Sequence, residues 1–316
     1  MRIVLTESLG ISPELLAKYV RPLEAAGHAF AAYPRTSDTA RLAEEIRDAD
    51  VVMLANMPLP GKALRACQHL KLIDVAFTGV DHVDLAAARE AGAIVCNASG
   101  YSTQAVAELA VAMMLSLLRF VPQVEARCRA GQDKTGLVGR ELRSKTVGIV
   151  GLGKIGRQTA RLCQAFGCRV IGFSPSHQAG EVDGVACMPL NELLPQADIV
   201  ALHCPLNDTT RGLIGREAIA RMKEGALLVN LARGPVVDTA ALCAALHNGK
   251  LGGAGIDVFD TEPPLALDHP LLHTPNTLVT PHVAFATEES MALRAEIVFA
   301  NLAAFLRGTP ENIAAC

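Results

Sequence analysis

The segment Thr146-Val147-Gly148-Ile149-Val150-Gly151-Leu152-Gly153-Lys154-Ile155-Gly156 sets glycines at G-x-G-x-x-G spacing, directly after an apolar β-like run and before a helical pattern from Arg157 to Phe166. In that pattern Gly151 allows a tight turn, Gly153 lets the backbone approach a pyrophosphate, and Gly156 lets helix and strand pack closely. The phosphates then sit at the positive helix N-terminus. With the strand, the helix and a second strand ending near residue 173 all present, a dinucleotide site is favoured over a merely structural glycine turn. Gly148-x₄-Gly153-Lys154 also approaches a Walker A loop, but Ile155 follows and offers no hydroxyl for Mg²⁺, so phosphoryl transfer is rejected.

An NAD site usually presents Asp or Glu about 20 residues beyond the first glycines, where its charge accepts from the adenosine ribose and repels a 2′-phosphate. Here Ser174 occupies that place, followed by Pro175, Ser176 and His177, with no Arg to clamp a phosphate. The cofactor expected is NAD or NADP, with NAD favoured.

The elements that must position this loop alternate between β-like and helix-like runs. Ile3–Leu5, Ala29–Tyr33, Val51–Leu54, Leu72–Ala76 and Ile94–Cys96 are separated by helical stretches at 12–26, 38–47, 60–68 and 84–91. A second series runs through Thr146–Val150, Arg169–Phe173, Asp198–Leu202, Ala226–Asn230, Gly255–Val258 and Thr277–Thr280. Such alternation predicts α/β architecture with parallel sheets and crossover helices. Between the series, Val106, Leu109, Ala110, Met113, Met114, Leu117 and Leu118 recur at helical spacing, predicting one long connecting helix over Ser102–Ala130. The tail from Glu288 to Arg307 is again helical, with Leu293, Ile297, Leu302 and Leu306 on one face.

Composition bounds the rest. At 316 residues the chain suits about two domains of roughly 150 residues each. A net charge of −3, with no long block of one sign, points to neither nucleic acid nor an anionic membrane surface. The nine cysteines, at 67, 96, 128, 163, 168, 187, 204, 243 and 316, form no Cys-x-x-Cys pair. They read as small buried hydrophobes in a reducing compartment rather than a disulfide framework or zinc cluster. The N-terminal apolar run meets Glu7 too early for a signal peptide, and Leu109–Leu118 is shorter than the roughly 18 residues of a membrane span, so a soluble, cytoplasmic protein is expected.

Several further motifs follow in order: Phe77-Thr78-Gly79-Val80-Asp81-His82-Val83-Asp84, Val106-Ala107-Glu108, the glycine loop, His203-Cys204-Pro205-Leu206, Val229-Asn230-Leu231-Ala232-Arg233-Gly234, Gly255-Ile256-Asp257-Val258-Phe259 with Glu262-Pro263, and Thr280-Pro281-His282-Val283-Ala284. Through nearly its whole length the chain resembles the D-isomer-specific 2-hydroxyacid dehydrogenases. The resemblance implies two Rossmann-like, doubly wound domains with an active-site cleft between them. A flavodoxin-like catalytic or lid domain would comprise 1–100 plus 287–316, and an NAD(P)-binding Rossmann domain 101–286.

By the same resemblance Arg233, Glu262 and His282 are the working residues, and each also follows an apolar β-like run, where open α/β sheets bind ligands. A planar guanidinium pairs bidentately with a substrate carboxylate and polarises the ketone, which suits Arg233. An imidazole titrates near working pH and supplies the proton for the forming hydroxyl, which suits His282. A carboxylate beside that ring favours the imidazolium and orients its tautomer, the role implied for Glu262. The amides of Gly79 and Val80 would hold the substrate carboxylate, and Thr78 would approach the cofactor. Lys154 and Ile155 would lie on the pyrophosphate, Cys204 and Pro205 near the adenosine, Leu231 and Ala232 near the nicotinamide ribose, Asp257 on the carboxamide, and Ala284 at the cofactor. His82 replaces a common Asn, and Asp84 is expected to cap a helix rather than bind metal.

The activity implied is hydride transfer between NAD(P)H and a small 2-oxo or 2-hydroxy acid, in a homodimer joined through the 102–130 helix. The loop Ala55-Asn56-Met57-Pro58-Leu59-Pro60 and Tyr101 would shape the side-chain pocket, Met57 and Leu59 suggesting a modestly apolar substrate. Two alternatives share the fold: a phosphite-type dehydrogenase, and an NAD(H)-sensing protein resembling the C-terminal-binding corepressors. Formate-type relatives lack the Glu partner, so Glu262 argues against formate.

Overall fold

The computed structural model describes every residue except 178 and 316, so Cys316 lies outside the described residues. The chain divides into two compact units, Met1–Ser102 with the stretch from Ala286 onward, and Thr103–Phe285.

In the first unit, β1 (Arg2–Leu5), α1 (Pro13–Ala25), β2 (Ala29–Ala32), α2 (Thr39–Ile46), β3 (Val51–Leu54), α3 (Gly61–Leu64), β4 (Leu72–Val75), α4 (Leu85–Glu90) and β5 (Ile94–Asn97) alternate as the periodicity predicts. The helix starts are written locally. Ser12 accepts from the Leu15 amide, Asp38 from Ala40 and Arg41, and Asp84 from Ala87, the capping role expected of it.

The second unit begins with α5 (Thr103–Leu118) and α6 (Val121–Arg129). It continues through β6 (Thr146–Val150), α7 (Lys154–Ala165), β7 (Arg169–Phe173), β8 (Glu181–Val182), β9 (Val185–Cys187), α8 (Leu190–Leu193) and β10 (Ile199–Leu202). Then follow α9 (Arg216–Arg221), β11 (Ala226–Asn230), α10 (Thr239–His247), β12 (Leu251–Ile256), α11 (Pro270–His273) and β13 (Thr277–Val279). The chain then contributes α12 (Glu288–Leu306) and β14 (Ile313–Ala315) to the first unit.

Among the described residues the first sheet has the order β14-β5-β4-β3-β1-β2 and the second β13-β12-β11-β10-β6-β7-β9-β8. Strands β3, β4, β6, β10 and β11 are buried along their whole length, as parallel strands covered on both faces must be. The β2-β1-β3-β4-β5 order is flavodoxin-like, with its switch point between β1 and β3.

Four expectations need correction. The predicted helix over 102–130 is two helices meeting at 62°, because Phe120 takes the left-handed conformation (φ 54°) and Pro122 opens the first turn of α6. The sheets are not wholly parallel: β14 and β8 pair antiparallel at their respective edges. In α12 the buried face carries Arg294, Val298, Asn301 and Leu302, while Leu293 is exposed. Of the cysteines, Cys128 is exposed rather than buried. No single helix among the described residues is long and apolar enough to cross a membrane.

Asn301 explains the rotation of α12. Its Nδ2 donates to Asp74 Oδ1 (3.0 Å) and to the Asn97 carbonyl (3.1 Å), while Asn312 Nδ2 donates to Asn301 Oδ1 (2.8 Å). Asp74 is fully buried on β4, and its Oδ2 meets no donor among the described residues. Burial pushes its pKa up to about 8 despite the Asn301 hydrogen bond. Burial and the nearby Asp74 carboxyl push the Cys96 thiol up to about 12.

The folded chain therefore keeps a proton that the unfolded chain releases near pH 3.8. Stability falls as pH rises from there to about 8, at up to about 1.4 kcal/mol per pH unit. Asp74→Asn is expected to raise Tm above that of the wild type at pH 8–9, with the two converging near pH 4. Thermal melts across that range check this, and identical pH dependence of the two proteins would refute it.

Candidate active site

The second sheet changes winding direction between β6 and β10, the crevice where open α/β sheets take ligands. At its floor Gly151 adopts φ +102°, and a Cβ there would lie 2.6 Å from the Cys204 amide nitrogen. A Cβ on Gly156 would lie 1.9 Å from the Gly151 carbonyl oxygen, so helix and loop meet at a distance only glycine permits. Gly153 differs. It is exposed, a Cβ on it would meet nothing within 4 Å, and no side chain caps α7 there. An uncapped helix start facing open space fits a pyrophosphate. Lys154 is exposed and Ile155 half-buried beside it.

Beyond β7 the chain turns tightly, the His177 amide donating to the Ser174 carbonyl at 2.9 Å. Ser174 Oγ and Ser176 Oγ lie 3.0 Å apart, and Ser176 Oγ is 2.9 Å from His177 Nδ1. After β10, Cys204 is buried and Pro205 exposed. Burial raises the Cys204 thiol to about 11, which keeps it protonated and makes it a wall rather than a nucleophile. Its neighbour His203 has both ring nitrogens buried without partners among the described residues, and desolvation lowers its pKa to about 4.

The other half of the site grows from the ends of β11, β12 and β13. Asn230, almost wholly buried, accepts from the Ala232 amide (3.0 Å) and donates to the Arg233 carbonyl (3.0 Å), tying down the turn that carries Leu231, Ala232 and Arg233. Arg233 Nη1 donates to the Ala232 carbonyl at 2.8 Å. Gly234 follows because a Cβ there would stand 1.9 Å from the Phe259 backbone.

Asp257 is fully buried and accepts from Thr280 Oγ1 (2.5 Å) and from the amides of Val283 (2.9 Å) and Ala284 (2.9 Å). Those bonds occupy three of the roughly four lone-pair sites of a carboxylate. Desolvation nonetheless holds its pKa above the ordinary value. Between these anchors His282 takes φ 54°, its amide donating to the carbonyls of Asp257 (2.8 Å) and Thr280 (3.0 Å). The His282 ring stands edge-on to Phe285, and its Nδ1 lies 3.0 and 2.8 Å from the carboxylate oxygens of Glu262. The histidine side chain is 10% exposed and the glutamate 48%.

In the first unit Thr78, Gly79 and Val80 follow β4, half-buried. Asn97 Nδ2 donates to the Thr78 carbonyl at 2.8 Å, and the amides of Gly79 and Val80 donate to no described residue. Met57 and Leu59 are buried in this unit, leaving Asn56 and Pro58 as the outward side chains of their loop.

Sequence reasoning overlooked the tethering by Asn230, Thr280 and Asp257. The available signal was an Asn or Asp directly beyond an apolar strand, where such side chains bind nearby backbone. Among the described residues no group of three or more His, Cys, Asp or Glu side chains is arranged to hold a metal.

Residues 111–284 match the family model for the D-isomer specific 2-hydroxyacid dehydrogenase, NAD binding domain. The chain is 40% identical over 300 residues to a D-3-phosphoglycerate dehydrogenase of Methanocaldococcus jannaschii, covering 93% of this chain and 56% of that one. It is 34% identical to a hydroxypyruvate reductase of Blautia hydrogenotrophica, covering 99% of each. A D-lactate dehydrogenase from Aquifex aeolicus, solved with NAD and lactic acid, superposes with a TM-score of 0.85 at 30% identity, covering 98% of this chain and 96% of that one. An acyclic imino acid reductase solved with NADPH and D-Arg superposes with a TM-score of 0.91 at 25% identity, covering 99% of each. The chain belongs to the D-isomer-specific 2-hydroxyacid dehydrogenase family.

Proposed function

We propose that this chain, an NAD(P)-dependent oxidoreductase, interconverts a small 2-oxo acid and its D-2-hydroxy acid through Arg233, Glu262 and His282. The observation that carries this reading is the contact of His282 Nδ1 with both oxygens of Glu262, at 3.0 and 2.8 Å. An ionised carboxylate only accepts, so Nδ1 bears the hydrogen and Nε2 is the nitrogen that exchanges a proton with substrate. Arg233 binds the substrate carboxylate and polarises its ketone. Gly79 and Val80 offer amides to the same carboxylate. The bound nicotinamide supplies or accepts the hydride.

His282→Asn is expected to lower kcat by about two to four orders of magnitude, the range of a lost general acid, with NADH binding retained. Glu262→Gln is expected to lower kcat less. Initial rates of NADH loss with pyruvate, glyoxylate and hydroxypyruvate, beside NADH fluorescence titration, check both. Undiminished turnover by His282→Asn would sink the assignment.

The cofactor is held at the glycine loop, with the adenosine ribose at the Ser174–His177 turn, Cys204 and Pro205 near the adenosine, and Leu231, Ala232 and Ala284 toward the nicotinamide. Asp257 keeps one acceptor site for the carboxamide. A turn built of Ser174, Ser176 and His177 carries no fixed negative charge, so both NADH and NADPH serve. Ser174→Asp is expected to raise the KM for NADPH by at least about tenfold and leave that for NADH within a few-fold. A wild type already selective for NADH by about a hundredfold would refute dual use.

Helix α6 buries none of its residues, and Val121 and Val138 are exposed. This supports a homodimer formed through the 102–130 region, α5 and α6 together. The eight described cysteines are all free, which supports a cytoplasmic location. Light scattering is expected to give twice the 33.3 kDa chain mass, and a monomer at micromolar concentration would overturn the dimer.

A further inference from the structure

Helix α7 ends in a motif whose geometry presses two cysteines together. Gly167 takes φ +81°, its amide donates to the Gln164 carbonyl at 2.8 Å, and the Cys168 amide donates to the Cys163 carbonyl at 3.1 Å. This paired closure sets a side chain of the last helical turn against the second residue beyond the cap, a place usually filled by an apolar contact. Here both positions are thiols, Cys163 in the last turn of α7 and Cys168 directly before β7. Cys163 is wholly buried, with its Sγ 3.9 Å from Met114 Sδ on α5. Cys168 is half-buried between exposed Gly167 and Arg169, and its Sγ donates to the Leu142 carbonyl at 3.4 Å. One sulfur of the pair is thus reachable from solvent, and the other lies behind it.

Their contact divides the roles. Interaction with Cys163 holds the Cys168 thiol below its ordinary pKa, against the opposing effect of burial, while interaction with Cys168 and burial push the Cys163 thiol up. The nucleophilic thiolate therefore forms at the accessible sulfur, with a protonated thiol beside it. An accessible cysteine of lowered pKa next to a second cysteine is the arrangement in which oxidation closes a disulfide.

We propose that Cys163 and Cys168 form a reversible disulfide on exposure to a hydroperoxide, with Cys168 as the reacting sulfur and Cys163 as the resolving one. The Cys168 thiolate attacks a peroxide oxygen, the O–O bond breaks, and the departing alkoxide or hydroxide takes up a proton. Cys168 is left as a sulfenic acid, without the charge that helped to hold the Cys163 proton. The Cys163 sulfur then attacks the Cys168 sulfur. The S–S bond forms as the S–O bond breaks, and the hydroxide leaves as water with the Cys163 proton. Two thiols are oxidised by two electrons while the peroxide is reduced to an alcohol or water, with a further water released. A dithiol reverses the bond by exchange. The helix closure already holds the two residues side by side, so pairing asks little of the backbone. The pair lies at the opposite end of α7 from Gly153, so the bond forms outside the cofactor loop and independently of the catalytic reading.

The test is treatment of the reduced full chain with a small excess of hydrogen peroxide, then alkylation in denaturant, trypsin and mass spectrometry. Cleavage after Arg161 and Arg169 places both cysteines in one peptide, Leu162–Arg169. That peptide is expected to be unalkylated and lighter by two hydrogen atoms, and to take label on both sulfurs once dithiothreitol has been added. In Cys163→Ser, Cys168 is expected to be captured by dimedone as the sulfenic acid and, without dimedone, to advance to the sulfinic acid. In Cys168→Ser, Cys163 is expected to remain a thiol. Full alkylation of the wild-type peptide while exposed Cys128 is oxidised would overturn the proposal, as would a wild-type peptide carrying Cys168 as sulfinic acid with Cys163 alkylated. Dimedone capture at Cys163 in Cys168→Ser would overturn the division of roles. Should either variant fail to fold by circular dichroism, the wild-type peptide mass decides the pairing by itself.

Discussion

The placement of the His282 imidazole beside Glu262 depends on a third group, the buried carboxylate of Asp257. Asp257 reaches from the end of β12 across to the segment after β13 and gathers the Thr280 hydroxyl and the amides of Val283 and Ala284. Between those anchors His282 is held at φ 54°, a conformation that costs a non-glycine residue about 1 kcal/mol or more. Without the anchors the segment would relax toward ordinary backbone angles, and the ring would turn away from Glu262. Burial of Asp257 opposes its ionisation and the three donors favour it, so the tether is strong because the charge has nowhere else to be satisfied.

The same physics distributes the remaining parts. A parallel sheet puts every strand's carboxyl end on one edge, and the loops there can each contribute one group to a common place. Arg233 comes from β11, Glu262 and Asp257 from beyond β12, His282 from beyond β13, and the glycine loop from β6. Strands buried on both faces cannot shift register without exposing apolar side chains, so these groups inherit the rigidity of the core. Asn230 extends that rigidity one turn further, to the residues flanking Arg233.

Much of this was legible in the chain because it is local. The G-x-G-x-x-G loop demands glycine at Gly151 and Gly156 for steric reasons that any sequence must obey, and Asp84 caps a helix from its own neighbourhood. What stayed hidden is tertiary. The break at Phe120 is the local exception: Pro122 marks it in the sequence, although the apolar periodicity runs up to it without interruption. Strands β8 and β9 are too short to show alternation. The face of α12 was misjudged because it buries Arg294 and Asn301, whose partners Leu9, Asp74 and Asn97 lie far away in the chain. A polar residue inside an apolar strand, such as Asp74, was the one available warning of that network.

Both units use internal carboxylates to hold loops that must not move. Glu7 takes two amides of the loop after β3, and Asp257 takes two amides of the loop after β13. Each replaces water or ligand with a permanent acceptor, so the loop's shape is set before anything binds, and less ordering entropy is lost on binding. The first turn of α7 is treated oppositely, with no side-chain cap at Gly153 and open space before it. A carboxylate placed there would satisfy the helix start and repel a pyrophosphate. The chain therefore satisfies these two scaffold loops internally and leaves the start of α7 uncapped, the arrangement that a phosphate at a helix N-terminus requires.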